Sequence, residues 1–170
     1  MLMRARRSWC GVWWLAAAVA VLVFAAMPGR AQMGGMGVST ASAFSIPATA
    51  QMTPAALHAL LQAGGKQKPM MLQVGSHVLF QEAHIPGSVY AGPGAEASGL
   101  ERLESAMKGV PKNRFVVIYC GCCPWSHCPN MGPAFAKLRS LGFTHVKALY
   151  LAHNFGADWA HAGYQVASGN

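Results

Sequence analysis

The sequence predicts an α/β fold in which a small, mostly parallel β-sheet carries helices on both faces. Two observations support this prediction. Short apolar runs typical of buried strands alternate along the chain with amphipathic stretches of helical length. The clearest run, residues 115–119, is β-branched and aromatic and leads through a loop into a helical pattern at residues 133–141. This order of strand, loop and helix is typical of parallel sheets.

Three further stretches have helical patterns. The first begins at Thr53, a good N-cap, continues with Pro54 at the first helical position, and ends at Gly64. The second covers residues 98–107, where a serine followed three residues later by a glutamate predicts a capping box. The third is a terminal helix over residues 154–161.

The predicted strands are short. Residues 70–74 and 143–149 are apolar enough to be buried strands, and a brief strand follows the Pro-Gly turn at residues 86–87. Residues 77–80 fit either a further short strand or the start of a loop.

The chain begins with the pattern of a secretory signal peptide. Three arginines precede an uncharged apolar run, and small residues before Gln32 form a plausible cleavage site, so residues 1–31 are predicted to be the signal. The alternative is an uncleaved anchor that crosses a thin bilayer. Residues 32–52 are predicted to be a flexible leader, and residues 53–170 the folded domain. Cleavage would leave a periplasmic or secreted protein that has no membrane segment.

The charge of the mature chain is modest. Loss of the four arginines in residues 1–31 leaves nine of the 13 basic residues against five acidic ones, a net charge of +4. These charges are scattered and form no basic stripe interleaved with aromatics. We therefore expect no nucleic-acid partner.

The cysteines are the most informative residues. The four that follow the signal all lie between positions 120 and 128, which does not suit a disulfide framework that joins distant parts of a fold. They are predicted to form a site. Cys120 would lie at the carboxyl end of a strand and face the start of a helix, where N–H groups and the helix dipole favour a thiolate.

Several motifs resemble those of rhodanese-like domains. Residues 83–88, Ala-His-Ile-Pro-Gly-Ser, are similar to the family's "GHIPGA" turn, and residues 117–120 resemble its strand that ends in the catalytic cysteine. Residues 138–143, 146–150 and 158–166 are similar to its closing helix, strand and "W…GYPV" tail. The resemblance covers residues 53–166 and implies a rhodanese-like fold.

The resemblance also implies sulfurtransferase activity, with Cys120 as a nucleophile that carries a persulfide. Its partners would be a small sulfur donor, a thiol acceptor or a protein thiol. The loop after Cys120 is longer than usual and contains no arginine, and Gln73-Val74-Gly75 stands where the family commonly has Asp-Val-Arg. No cofactor is expected.

The other loop residues allow two interpretations. In a redox role, Cys122, Cys123 or Cys128 would be a persulfide relay or a resolving cysteine, and His127 would favour a neighbouring thiolate. A disulfide of Cys123 with Cys128, or of Cys120 with either, is favoured over a strained vicinal one. In the alternative interpretation the domain is non-catalytic, either structural or a Zn²⁺ or Cu⁺ binder, although a structural zinc site usually takes its ligands from two separated segments.

Overall fold

The computed structural model describes residues 46–65 and 68–169 of the chain. The predicted signal peptide and most of the predicted leader lie outside these residues. Within the described segments, no helix has the length and apolar character needed to cross a bilayer.

One sheet of five strands forms the centre of the described domain. Its strands are β1 (Gln51–Met52), β2 (Met70–Gln73), β3 (Val89–Tyr90), β4 (Val116–Tyr119) and β5 (Val146–Leu149). They lie in the order β1-β5-β4-β2-β3, and each adjacent pair is parallel. The predicted α/β class is confirmed, and β4 occupies the centre of the sheet.

Four α-helices accompany the sheet in the described segments: α1 (Pro54–Ala63), α2 (His77–Glu82), α3 (Ala97–Ala106) and α4 (Met131–Ser140). Two short 3₁₀ turns, Ala48–Ala50 and Trp125–His127, and a π-helical turn, Gly156–Ala160, complete the regular elements.

The side chains of β4 alternate between two apolar cores, one on each face of the sheet. Val116, Ile118 and Cys120 pack with the buried side chains of α3 and α4. Val117 and Tyr119 point to the other face, where residues of α1 and of the π-helical turn cover the sheet. Cys120 therefore continues the alternation of the strand and faces α3 and α4.

Most of the predicted elements are present, and α1 has the predicted caps. The Thr53 side chain accepts a hydrogen bond from the Ala56 N–H at 3.2 Å, Pro54 is the first helical residue, and Gly64 ends the helix with a positive φ. Here the signals are local in the chain, so the sequence suffices to place both ends.

Three predicted boundaries are wrong. Residues 51–52, assigned to the flexible leader, form β1 and pair with β5. The last strand begins at Val146 and not at residue 143. Helix α4 starts at Met131, two residues before the predicted start, so its proline stands in the first turn, where it costs no helical hydrogen bond.

Three local predictions also differ from the structure. Residues 77–80 belong to helix α2, not to a strand or loop. The capping box at Ser98 does not form, because α3 already begins at Ala97 with Glu96 as N-cap, and no side chain caps this end. The predicted terminal helix over 154–161 is reduced to the π-helical turn Gly156–Ala160.

Candidate active site

A sharp turn follows the central strand. Gly121 adopts a φ of 101°, and a Cβ at this position would lie 2.8 Å from Cβ of Phe155. Only glycine suits this conformation and this close approach. The turn folds residues 122–128 back over the edge of the sheet.

Backbone hydrogen bonds hold the folded loop in place. Gly121 O accepts from the Phe155 N–H at 3.1 Å, and Leu151 O accepts from the Trp125 N–H at 3.1 Å. The Trp125 ring packs against Tyr150, with 5.1 Å between ring centroids. The loop is thus tied to the segment after β5.

The fold brings all four cysteine sulfurs together. The Sγ atoms of Cys120, Cys122, Cys123 and Cys128 all lie within 4.8 Å of one another. Sγ of Cys122 is 3.2 Å from Sγ of Cys120 and 3.0 Å from Sγ of Cys123. All four are free thiols. Cys120 is buried, with 5% of its surface exposed, Cys123 and Cys128 are half-buried, and Cys122 is exposed.

The fourth residue of the cluster, Cys128, joins it from the start of α4. The 3₁₀ turn Trp125–His127 carries the chain back toward the sheet, and Cys128 follows it directly. The backbone N–H groups of Asn130 and Met131 help to lower the pKa of the Cys128 thiol.

Two buried polar side chains position Cys120, and the sequence analysis assigned a role to neither of them. Nδ2 of Asn130 donates to Sγ of Cys120 at 3.3 Å, while Oδ1 accepts from the Ala95 N–H at 3.0 Å. Gln73, at the end of β2, donates to Cys120 O at 3.2 Å and accepts from the Gly75 N–H at 3.1 Å. In the sequence, the feature that could have indicated a role for Gln73 is its place as a polar residue at the end of an apolar strand. That strand, β2, pairs with β4, which leads into Cys120.

The electrostatics of the cluster favour a thiolate on Cys128. The neighbouring Cys120 thiol, together with the N–H groups of Asn130 and Met131, lowers the pKa of Cys128 to about 6. The same interaction, and burial, raise the pKa of Cys120 well above its usual range. Burial and the hydrogen bond to Cys122 raise the pKa of Cys123 to about 12.

The prediction that the start of the helix stabilises a Cys120 thiolate therefore needs correction. The N–H groups of Asn130 and Met131, at the start of α4, act on Cys128 and lower its pKa. The pKa of Cys120 is raised, which favours its thiol form.

Cys120 and Cys122 line a pocket of about 290 Å³. Its walls also include Gln73, Phe155 and the acidic Glu82. Among the described residues that line it there is no lysine or arginine. A small molecule in this pocket would contact the Cys120 and Cys122 side chains.

His127 lies apart from the sulfurs. Its side chain is exposed, and Nδ1 is 2.8 Å from Oγ of Ser126. Within the described segments, the group of mutually close ligand atoms at the loop comprises the four sulfurs and does not include His127.

A larger pocket of about 750 Å³ lies elsewhere, against Met52, Leu60, Phe115 and His145. Phe115 and His145 precede β4 and β5, so this pocket is at the edge of the sheet opposite Cys120. It contains no cysteine. We place the candidate site at the smaller pocket because its lining includes nucleophilic sulfur.

Solved structures with the same architecture identify the fold. The rhodanese-like domain of an Anabaena sp. protein superposes with a TM-score of 0.54 and 23% identity, covering 70% of this chain and 79% of that one. The chain has a rhodanese-like fold.

Two other matching structures come from other bacteria. A Bacillus halodurans protein has a TM-score of 0.55 and 24% identity, with 69% of this chain and 76% of that one covered. A Rhodopseudomonas palustris protein of unknown function, a possible tyrosine phosphatase, has a TM-score of 0.51 and 18% identity over 69% of this chain and 83% of that one. No protein-family model matches the sequence, and no curated protein is significantly similar to it.

The rhodanese-like fold fixes the architecture but not the reaction, since one fold supports several chemistries. What the chain adds is its own cluster of four thiols at the carboxyl end of the central strand. The fold and this cluster together support a role in sulfur transfer or in metal binding.

Proposed function

We propose that the protein is an exported sulfurtransferase or thiol-redox protein that works through a persulfide or a disulfide of the 120–128 loop. One observation carries this proposal. Cys120 lines a small pocket and has a second thiol, Cys122, with its sulfur 3.2 Å away. A nucleophile beside a resolving thiol is what both reactions need.

The first step is the transfer of one sulfur atom to Cys120. Sγ of Cys120 attacks the outer sulfur of a donor persulfide, R–S–SH, and the donor's S–S bond breaks to release R–S⁻. The Cys120 proton passes to the neighbouring Cys128 sulfur, within 4.8 Å, and then to the leaving thiolate. The products are a Cys120 persulfide and R–SH, with no net change in oxidation state.

The Cys120 persulfide can react in two ways. An acceptor thiolate can attack its outer sulfur, which regenerates the Cys120 thiol. Alternatively, Sγ of Cys122 attacks the inner sulfur, forms a Cys120–Cys122 disulfide and releases HS⁻. This second route reduces the sulfane sulfur and oxidises the cysteine pair, and a dithiol protein partner would restore the two thiols.

The pocket favours a donor without negative charge. Glu82 is the charged side chain among the described lining residues, and no cation in that lining could bind a dianion. Thiosulfate carries two negative charges, so Glu82 repels it. We therefore propose an uncharged or cationic persulfide as donor.

Export is part of the proposal and is supported by the pattern in residues 1–31. Expression of the full chain in a bacterium is expected to give a periplasmic protein whose sequence begins at Gln32. A cytoplasmic product with an intact first residue would contradict this.

The test of the donor class is a comparison of rates. Persulfide formation is followed by mass spectrometry with an uncharged alkyl persulfide and with thiosulfate, and the uncharged donor is expected to react faster. Glu82→Arg should accelerate the thiosulfate reaction several-fold, whereas Glu101→Arg, on α3 and outside the pocket lining, makes the same change of charge without that effect. Equal effects of the two substitutions would contradict the proposed role of the pocket.

A further inference from the structure

We infer that the four cysteines also form a tetrahedral binding site for one Zn²⁺ ion. The group comprises Cys120, Cys122, Cys123 and Cys128, with every sulfur within 4.8 Å of every other. This inference rests on the positions of the sulfurs and does not depend on sulfur transfer.

The spacing of the sulfurs suits a single ion. Four thiolates at the usual Zn–S distance of about 2.3 Å stand about 3.8 Å apart in a tetrahedron. The Cys122 sulfur lies 3.2 Å from that of Cys120 and 3.0 Å from that of Cys123, and every other pair lies within 4.8 Å. Small rotations of the side chains would therefore place all four around one ion. An all-sulfur tetrahedral site is typical of zinc.

A zinc site usually takes its ligands from two separated segments, and the folded loop supplies a comparable arrangement. Gly121, with its φ of 101°, reverses the chain after Cys120, and the 3₁₀ turn Trp125–His127 returns it to the start of α4. Cys120 thus comes from the strand and Cys128 from the helix start, with Cys122 and Cys123 between them. The fold itself supplies two separated anchors.

The surroundings of the sulfurs are suited to thiolates. Asn130 donates its Nδ2–H to Sγ of Cys120 at 3.3 Å. Such outer hydrogen bonds orient metal ligands and offset their negative charge. Cys120 is buried and Cys122 is exposed, so an ion would enter from the Cys122 side.

The metal site and the persulfide site share Cys120. Coordination to zinc takes up a lone pair of the sulfur and lowers its nucleophilicity, so zinc-loaded protein should form the Cys120 persulfide more slowly than the metal-free protein. Bound zinc would also protect four neighbouring thiols from oxidation in an oxidising compartment.

The test is a titration of the reduced, metal-free protein with Co²⁺ under anaerobic conditions. Co²⁺ reports its own coordination, because a tetrahedral thiolate site gives intense visible bands and sulfur-to-cobalt charge transfer. We expect saturation at one ion per chain, followed by stoichiometric displacement by Zn²⁺. A weak octahedral spectrum, or no displacement by Zn²⁺, would overturn the inference.

Variants locate the site. Cys122→Ser and Cys123→Ser should each shift the visible bands and reduce the sulfur-to-cobalt charge transfer, and both positions are solvent-accessible enough for the variants to fold, which circular dichroism checks. Asn130→Ala should weaken zinc binding by about 10- to 100-fold. Ser126→Ala, in the same loop, has an exposed side chain and should leave binding unchanged. Unaltered spectra in both cysteine variants would also overturn the inference, and either result stands whether or not the protein transfers sulfur.

Discussion

Asn130 donates a hydrogen bond from its side-chain amide to the sulfur of Cys120 across 3.3 Å, and its amide oxygen accepts from the Ala95 N–H. One buried side chain therefore links the reactive thiol to the start of α4 and to the segment before α3. This bond connects the packing of the domain to the chemistry of the loop.

Replacement of Asn130 should affect both stability and reactivity. Asn130→Ala leaves the Ala95 N–H without its partner, so the free energy of unfolding should fall by about 1–3 kcal/mol. Asn130→Asp keeps the oxygen that accepts from Ala95 but places a carboxylate beside the Cys120 sulfur. This variant should be more stable than Asn130→Ala and should still form the persulfide more slowly than the wild-type protein. Urea denaturation and mass spectrometry separate the two effects. Wild-type stability and rate in Asn130→Ala would contradict the role of this bond.

Gly121 should tolerate no side chain. Gly121→Ala adds the strain of a positive φ and a contact with Phe155 at 2.8 Å. The matched control is Gly109→Ala, where φ is 74° and nothing lies within 4 Å of the added Cβ. Thermal denaturation should show a loss at Gly121 that exceeds the loss at Gly109 by about 1–3 kcal/mol. Equal losses would mean that the loop relaxes away from Phe155.

Two cysteines of the reduced, metal-free protein should differ in the pH dependence of their alkylation. The pKa of Cys128 is lowered to about 6, so its thiolate forms as the pH rises through that value and is lost below it. The pKa of Cys123 is raised to about 12, so this residue stays a thiol near neutral pH. Iodoacetamide labelling followed by peptide mapping should therefore reach a plateau for Cys128 just above neutral pH while Cys123 labelling still increases. Parallel profiles for the two residues would contradict this assignment of charge.

Tyr119 should stabilise the turn that precedes β3. Its hydroxyl accepts from the Ile85 N–H at 3.1 Å and lies 2.8 Å from Oγ of Ser88, and burial raises its pKa to about 12. Tyr119→Phe leaves a buried N–H unpaired, so the free energy of unfolding should fall by about 1–3 kcal/mol. Ser88→Ala spares the bond to Ile85 N–H and should cost less. Chemical denaturation measures both losses of unfolding free energy. A larger loss in Ser88→Ala than in Tyr119→Phe would contradict the stabilising role of the bond from Ile85 N–H to Tyr119.

The sequence predicted best what depends on neighbouring residues. The caps of α1 at Thr53 and Gly64 are local signals, and the central strand is a continuous apolar run, so both are present as predicted. Short segments without such signals were harder. Residues 77–80 are apolar enough for a strand, but they form the first turn of α2, which tertiary packing decides.

The candidate site was predicted in composition but not in geometry. The position of four cysteines in one loop indicated a site, yet the convergence of their sulfurs depends on the φ of Gly121 and on the 3₁₀ turn Trp125–His127. Asn130 and Gln73 lie ten or more residues from Cys120 in the chain, so their hydrogen bonds to it follow from the fold alone. The effect of the α4 N–H groups on the pKa of Cys128, and not on that of Cys120, also follows from the fold.

The most direct measurement is the intact mass of the metal-free, reduced protein before and after treatment with an uncharged alkyl persulfide, with Cys120→Ser alongside. The wild-type protein should gain the mass of one sulfur atom, and a thiol acceptor should remove it. Cys120→Ser should show no gain. If the wild-type protein gains no sulfur, or if the variant gains as much, Cys120 is not a persulfide carrier and the proposed sulfur transfer is wrong.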